Sequence, residues 1–174
     1  SDVYKRQGLK VLPQSEWNVF DHQIISWRLR SDEQRHAQIT SLRELRDAIE
    51  PSAARLAATH ATPAEARELS ALAERIVELA DQVAGNSDEF QEADARFHSL
   101  LLTASRNEMF VALTQPIMDV MKGRSEYGIM PDDPEMTTMK IHIELAEAIA
   151  NHEPDRAEDA SRRLLRGVNE FMEI

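Results

Sequence analysis

The chain contains no cysteine. That absence removes disulfides, thiolate nucleophiles and cysteine-based zinc sites together, so a bound metal must rest on His, Asp or Glu. No apolar run approaches the roughly 20 residues of a bilayer-spanning helix, and no charged-then-apolar leader opens the chain. The expected location is therefore the cytoplasm, with no membrane contact. Basic charge is scarce: 20 Lys and Arg face 31 Asp and Glu, a net charge of −11. Nucleic-acid affinity depends on clustered cations, so this chain by itself is not expected to bind DNA. With 5 Gly and 7 Pro, neither a disordered nor a fibrous chain fits. What is present is a globular composition, 42% hydrophobic over 174 residues, the length of one domain that buries roughly 70% of its unfolded surface.

Three stretches differ in pattern. Residues 1–14 hold an aperiodic start, Ser1 to Gln7, read as a junction, and then Gly8 to Pro13, read as one edge strand without partners in this chain. Residues 15–32 form a linker with a short helix, in which Ser15 caps a segment carrying Trp17, Val19, Phe20, Ile24, Ile25 and Trp27. Residues 33–174 read as helix almost throughout. Leu42, Leu45, Ile49 and Leu56 recur at helical spacing, and Pro51 is expected to kink or end that helix near Glu50. Thr62-Pro63-Ala64-Glu65 is a start signal for a helix closed by Gly85. Ser87 caps the next, and Asn107 opens one running to Gly123. A long loop from Arg124 to Glu135 precedes two final helices separated by Pro154. No fixed-period repeat is visible. The expectation is an all-α antiparallel bundle of about six helices, an architecture that often holds metals and ligands in its interior.

The chemistry concentrates on one helix. At 100° per residue, Phe90, Asp94, Phe97, His98 and Leu101 share a sector, so an acid and an imidazole face inward among phenylalanines. A buried carboxylate needs a partner. Two readings stay open for Asp94 and His98: a mutual hydrogen bond, or two ligands of one ion at i, i+4 spacing. Thr138, His142, Leu145 and Ile149 form a second inward stripe, which makes His142 either a third ligand or a satisfied core histidine. His22, His36, His60 and His152 fall near helix ends or on polar segments and read as solvated. Arg46 flanks the stripe of Leu42, Leu45 and Ile49, and either grips a carboxylate ligand or pairs with Glu50. The run Arg162, Arg163, Arg166 reads as a solvated face among Glu158, Asp159 and Glu170. No G-x-S-x-G, glycine-rich phosphate loop or H-E-x-x-H is present, which argues against nucleophilic catalysis.

Ordered motifs then carry a resemblance. Leu42 through Ala58 with Ala61-Thr62, then Asp94-Ala95-Arg96-Phe97-His98, Ala104-Ser105-Arg106-Asn107 and His142 through Ala148-Ile149 resemble the FadR C-terminal effector domain (FCD) of GntR-family transcriptional regulators. The resemblance runs from about residue 33 to the C-terminus. Upstream, Gly8 to Pro13 resembles the last strand of a winged-helix wing, and Trp17 to Asp21 with Trp27 the linker of sugar-acid-responsive members. It implies the sensing half of a regulator, dimeric, reaching DNA only through a missing N-terminal winged-helix domain. It also implies a divalent metal (zinc, nickel, manganese or iron) held by Asp94, His98 and His142. Leu164 stands where the family usually has a further His, which leaves open coordination positions or no tight metal. For the effector, a small hydroxy-carboxylate such as a sugar acid, it implies contacts from Arg46, Arg96 and Thr138. Two other functions compete: a metal-dependent hydrolase using the same three ligands, and a ligand-free structural dimerisation domain.

Overall fold

A computed structural model describes residues 12–82, 87–129 and 134–171. Among them lie eight α-helices and no strand. They are α1 (His22–Arg30), α2 (Asp32–His60), α3 (Pro63–Gln82), α4 (Asp88–Ala104), α5 (Glu108–Ala112), α6 (Thr114–Glu126), α7 (Met136–Ala150) and α8 (Pro154–Phe171). The expected all-α bundle is present. The expected edge strand, Gly8 to Pro13, and the helix stop at Gly85 fall mainly or wholly outside the described residues.

Most starts are capped as the sequence implies. Thr62 Oγ1 accepts from Glu65 N at 3.1 Å while Glu65 Oε1 accepts from Thr62 N at 2.9 Å, a reciprocal capping box. Ser87 and Asn107 accept from the first-turn amides of α4 and α5. The linker differs from expectation. Asp21, not Ser15, caps its helix by accepting from the amides of Gln23 and Ile24, whereas Gln14–Glu16 form a single 3-10 turn. Trp17 and Trp27 then pack edge to face, 5.1 Å apart, which folds the linker back on itself.

Pro51, Pro116 and Gly123 decide where these helices run on and where they break. Pro51 does not end α2, which continues to His60. The hydrogen bond it forfeits to the Asp47 carbonyl is outweighed by the two turns that follow, where Ala53, Ala54, Ala57 and Ala58 are completely buried. Pro116, three residues into α6, lacks the N–H that would bond the Ala112 carbonyl, so the segment expected as one helix breaks at Leu113. Gly123 is not a stop either. A Cβ there would collide with Leu29, so its bareness lets α1 pack against α6, and the helix runs on to Glu126. The break at Leu113 and the linker helix account for eight helices instead of six.

The apolar interior has two parts. One gathers Leu69, Ile76, Phe97, Leu101, Leu145, Ile149 and Leu164 with the alanines of the second half of α2. The other joins Ile25 and Leu29 of α1 to Ile39, Leu42, Leu102, Ile117 and Val120. On α2 the change from one to the other falls between Ala53 and Ala54, one turn after Glu50.

Candidate metal centre

Among the described residues, six polar side chains are buried close to this junction: Arg46 and Glu50 from α2, Asp94 and His98 from α4, Arg124 from α6 and His142 from α7. Both histidines are oriented by their Nδ1 atoms. His142 Nδ1 donates to the Met139 carbonyl at 2.8 Å, and His98 Nδ1 donates to Glu50 Oε1. Phe97 fixes the rings further, lying edge to face with both at 5.5 and 5.0 Å. With Nδ1 occupied, each Nε2 turns to the same atom, Asp94 Oδ1, at 3.3 Å in both cases.

That convergence has a chemical consequence. In their neutral forms both rings aim an Nε2 lone pair at an acceptor-only carboxylate oxygen, and the arrangement needs a proton or a cation between them. The three ligand atoms lie within 4.8 Å of one another. A tetrahedral ion with bonds near 2.0–2.1 Å separates its ligand atoms by about 3.3 Å, the spacing found on both Asp94 edges. The Nδ1 contacts to Glu50 and Met139 also follow the rule that a metal-binding imidazole donates its other N–H to a carboxylate or carbonyl. The residues fit a divalent ion.

The electrostatics of the cluster are interdependent. Burial alone would raise the Glu50 carboxyl, but Arg46 and His98 overcome it and hold it down at about 2. Burial likewise opposes ionisation of Asp94, which His98 and His142 nonetheless keep well below the usual carboxylate range. His98 resists its own desolvation because Glu50 and Asp94 flank it, and rises to about 9 in the metal-free protein. Burial lowers Arg124 to about 10, and the nearby Arg46 adds to the effect. Among the described residues, and with neutral imidazoles, the two guanidiniums of Arg46 and Arg124 are matched by the carboxylates of Glu50 and Asp94. A divalent ion would add positive charge to these groups, which an anion can neutralise.

The sequence-derived residues separate on this geometry. Asp94, His98 and His142 come together, and Arg46 joins them, its Nη2 3.3 Å from His98 Nδ1. Arg46 is ion-paired with Glu50 one turn on. Arg96 lies elsewhere, on the surface, in a two-pronged pair with Glu68 at 2.8 and 3.1 Å. The Thr138 hydroxyl donates to Glu135 at 2.8 Å as part of the cap of α7, and its side chain is pressed against Gly167. Leu164 is completely embedded in apolar neighbours and offers no ligand atom. From the sequence Glu50 is legible as a partner for Arg46 and as the residue before Pro51, and not as a partner of His98. Its register on α2, one turn beyond Arg46 and two beyond Leu42, was the available signal. A helix ending at Gly123 would leave Arg124 in a loop, whereas it lies on α6 and is buried.

Comparison with known proteins agrees with this architecture. A family model described as the FCD domain matches residues 41–167. Over 166 residues the chain is 30% identical to the galactonate operon transcriptional repressor of Escherichia coli, covering 94% of this chain and 70% of that protein. It is 26% identical over 161 residues to the uncharacterized HTH-type transcriptional regulator YieP of Escherichia coli, covering 92% and 67%. With the HTH-type transcriptional repressor NanR of Edwardsiella tarda it shares 30% identity over 132 residues, covering 75% and 49%. Fold, ordered motifs and relatives converge, and the chain belongs to the FCD-domain family of GntR-type transcriptional regulators.

Proposed function

We propose that this chain is a ligand-sensing domain that binds a small hydroxy-carboxylate, most simply a sugar acid, at a divalent metal held by Asp94, His98 and His142. The observation that carries the reading is the convergence of two Nε2 atoms on one Asp94 oxygen. A metal ion bound there would supply Lewis-acid positions for carboxylate and hydroxyl oxygens, since three protein ligands leave coordination open. Arg46 stands ready to exchange part of its pairing with Glu50 for the effector carboxylate, and Arg124 adds a second buried cation. The naming of one relative for a galactonate operon supports an acid effector. The site is read as binding and not catalytic, because Glu50 and Asp94 are committed to Arg46 and the histidines and leave no free base at the site among the described residues.

The output is geometric. Occupancy would shift α2 against α1, and through the Trp17 and Trp27 linker the separation of two DNA-binding domains in a homodimer, where half-sites one helical turn apart make spacing decisive. Thermal unfolding with galactonate and other sugar acids, before and after chelation, tests the reading. At about 100 times the dissociation constant an effector adds about 2.7 kcal/mol, or roughly 5–10 °C for a chain of this size. The shift should vanish on chelation and in His98→Ala, and survive in Arg96→Ala. No shift with any acid in the metal-loaded chain would overturn it.

A further inference from the structure

A groove of about 410 Å³ runs along the seam of α2 and α8. Arg43 lines one wall and Arg162 and Arg166 the other, against a single acid, Asp47, among the described residues. In a chain of net charge −11 this is a local reversal of sign. Arg162 is held by Glu158 at 2.9 Å, while Arg43 and Arg166 have no ion-pair partner among the described residues. Below the groove lies a cleft of about 10 Å³, room for about one water. It is bounded by three residues of the groove, Arg43, Leu165 and Asn169, and by Arg46 and Arg124 of the buried cluster. Across the opening, Asn169 Nδ2 donates to both Asp47 carboxylate oxygens, at 3.2 and 3.4 Å, tying α8 to α2. Leu165, 4% exposed, fills the throat. The surface groove lined by Pro63, Arg67 and Glu74 shares no residue with the cleft, and the apolar groove beside Phe20 meets it only at Leu42.

We propose that this seam is the entry path for anions to the metal centre. Arg43, Arg162 and Arg166 collect a carboxylate, the Asn169–Asp47 hydrogen bonds act as a latch, Leu165 is the plug, and Arg46 receives the anion one helical turn below Arg43. Successive guanidiniums replace the solvation that a carboxylate would lose in crossing an apolar wall. The path gives a function to the arginines of α8, and it rests on the reading of the buried site as an acid sensor.

The cysteine-free sequence makes the test direct. Leu165→Cys, and Asn169→Cys as a second position, are labelled with a sulfonate-bearing and a trimethylammonium-bearing methanethiosulfonate, each rate divided by that of a free thiol. The path predicts at least a tenfold preference for the anionic reagent, in the range of electrostatic focusing. Arg43→Gln with Arg166→Gln should abolish the preference, as should high salt. Asn169→Ala should speed labelling of Leu165→Cys by both reagents, and galactonate should slow labelling of the metal-loaded chain. Equal rates for the two reagents, or a preference indifferent to the arginines, would overturn the path. An acid that raises the unfolding temperature yet leaves labelling unprotected would overturn it while leaving the sensing reading intact. Anionic preference without any thermal shift would sustain the path and refute the sensing reading.

Discussion

Replacing Glu50 by Gln tests the buried cluster with almost no change of shape. The carboxylate is 1% exposed and is shared between Arg46 and His98. Lowering a carboxyl from its ordinary 4.5 to about 2 corresponds to about 3 kcal/mol in favour of the charged form, at roughly 1.4 kcal/mol per tenfold. Breaking a buried pair by removing one partner independently suggests about 3–5 kcal/mol, because the buried Arg46 would lose the carboxylate it is paired with. Glu50→Gln should therefore lower the unfolding free energy of the metal-free protein by about 3 kcal/mol at pH 7, or roughly 6–12 °C. The sign with pH follows from a folded value below the unfolded one. The stabilisation is complete above about pH 4.5 and is lost as pH falls toward 2. The gap between parent and variant in urea-unfolding midpoints should close over that interval. Arg46→Met combined with Glu50→Leu removes both charges and should cost far less than Glu50→Gln alone. Since Glu50 also orients His98, metal affinity should fall about 10–100-fold in Glu50→Gln. A deficit under about 1 kcal/mol at pH 7, or one that persists unchanged at pH 2, would refute the buried ion pair.

Asp94→Asn, the one change common to both imidazole contacts, should abolish the thermal shift produced by zinc or nickel while leaving helical circular dichroism in place. Glu135 accepts from the Thr138 hydroxyl and from the amides of Thr137 and Thr138, and is held at about 2. Glu135→Gln should therefore narrow the acid-induced loss of stability between about pH 4.5 and 2, measured by thermal unfolding across that range. Gly123→Val should force Leu29 aside and loosen α1 from α6, costing about 1–3 kcal/mol by overpacking. Limited proteolysis should then cut the linker faster in the variant, and an unchanged rate would argue against close docking of α1.

Much of this fold was legible in local chemistry. Caps at Ser87, Asn107 and the Thr62–Glu65 box lie within one turn of the amides they satisfy, and so can be read without knowing what packs nearby. The inward sector of Asp94, Phe97 and His98 follows from helical periodicity alone, and their burial agrees with it. Features that depend on a neighbour from another helix were not legible. Gly123 looks like a terminator until Leu29 is seen above it, and a helix ended there would leave Arg124 in a loop, whereas it is a buried cation of the cluster. The hold on Glu50 was likewise not legible, because it comes from His98, 48 residues further on. Sequence by itself determined which side chains face inward, because that follows from a 3.6-residue period and the cost of burying unpaired charge. Only the tertiary structure decided which of them meet, because the distances that set ligand geometry, charge balance and access lie between helices and not along them.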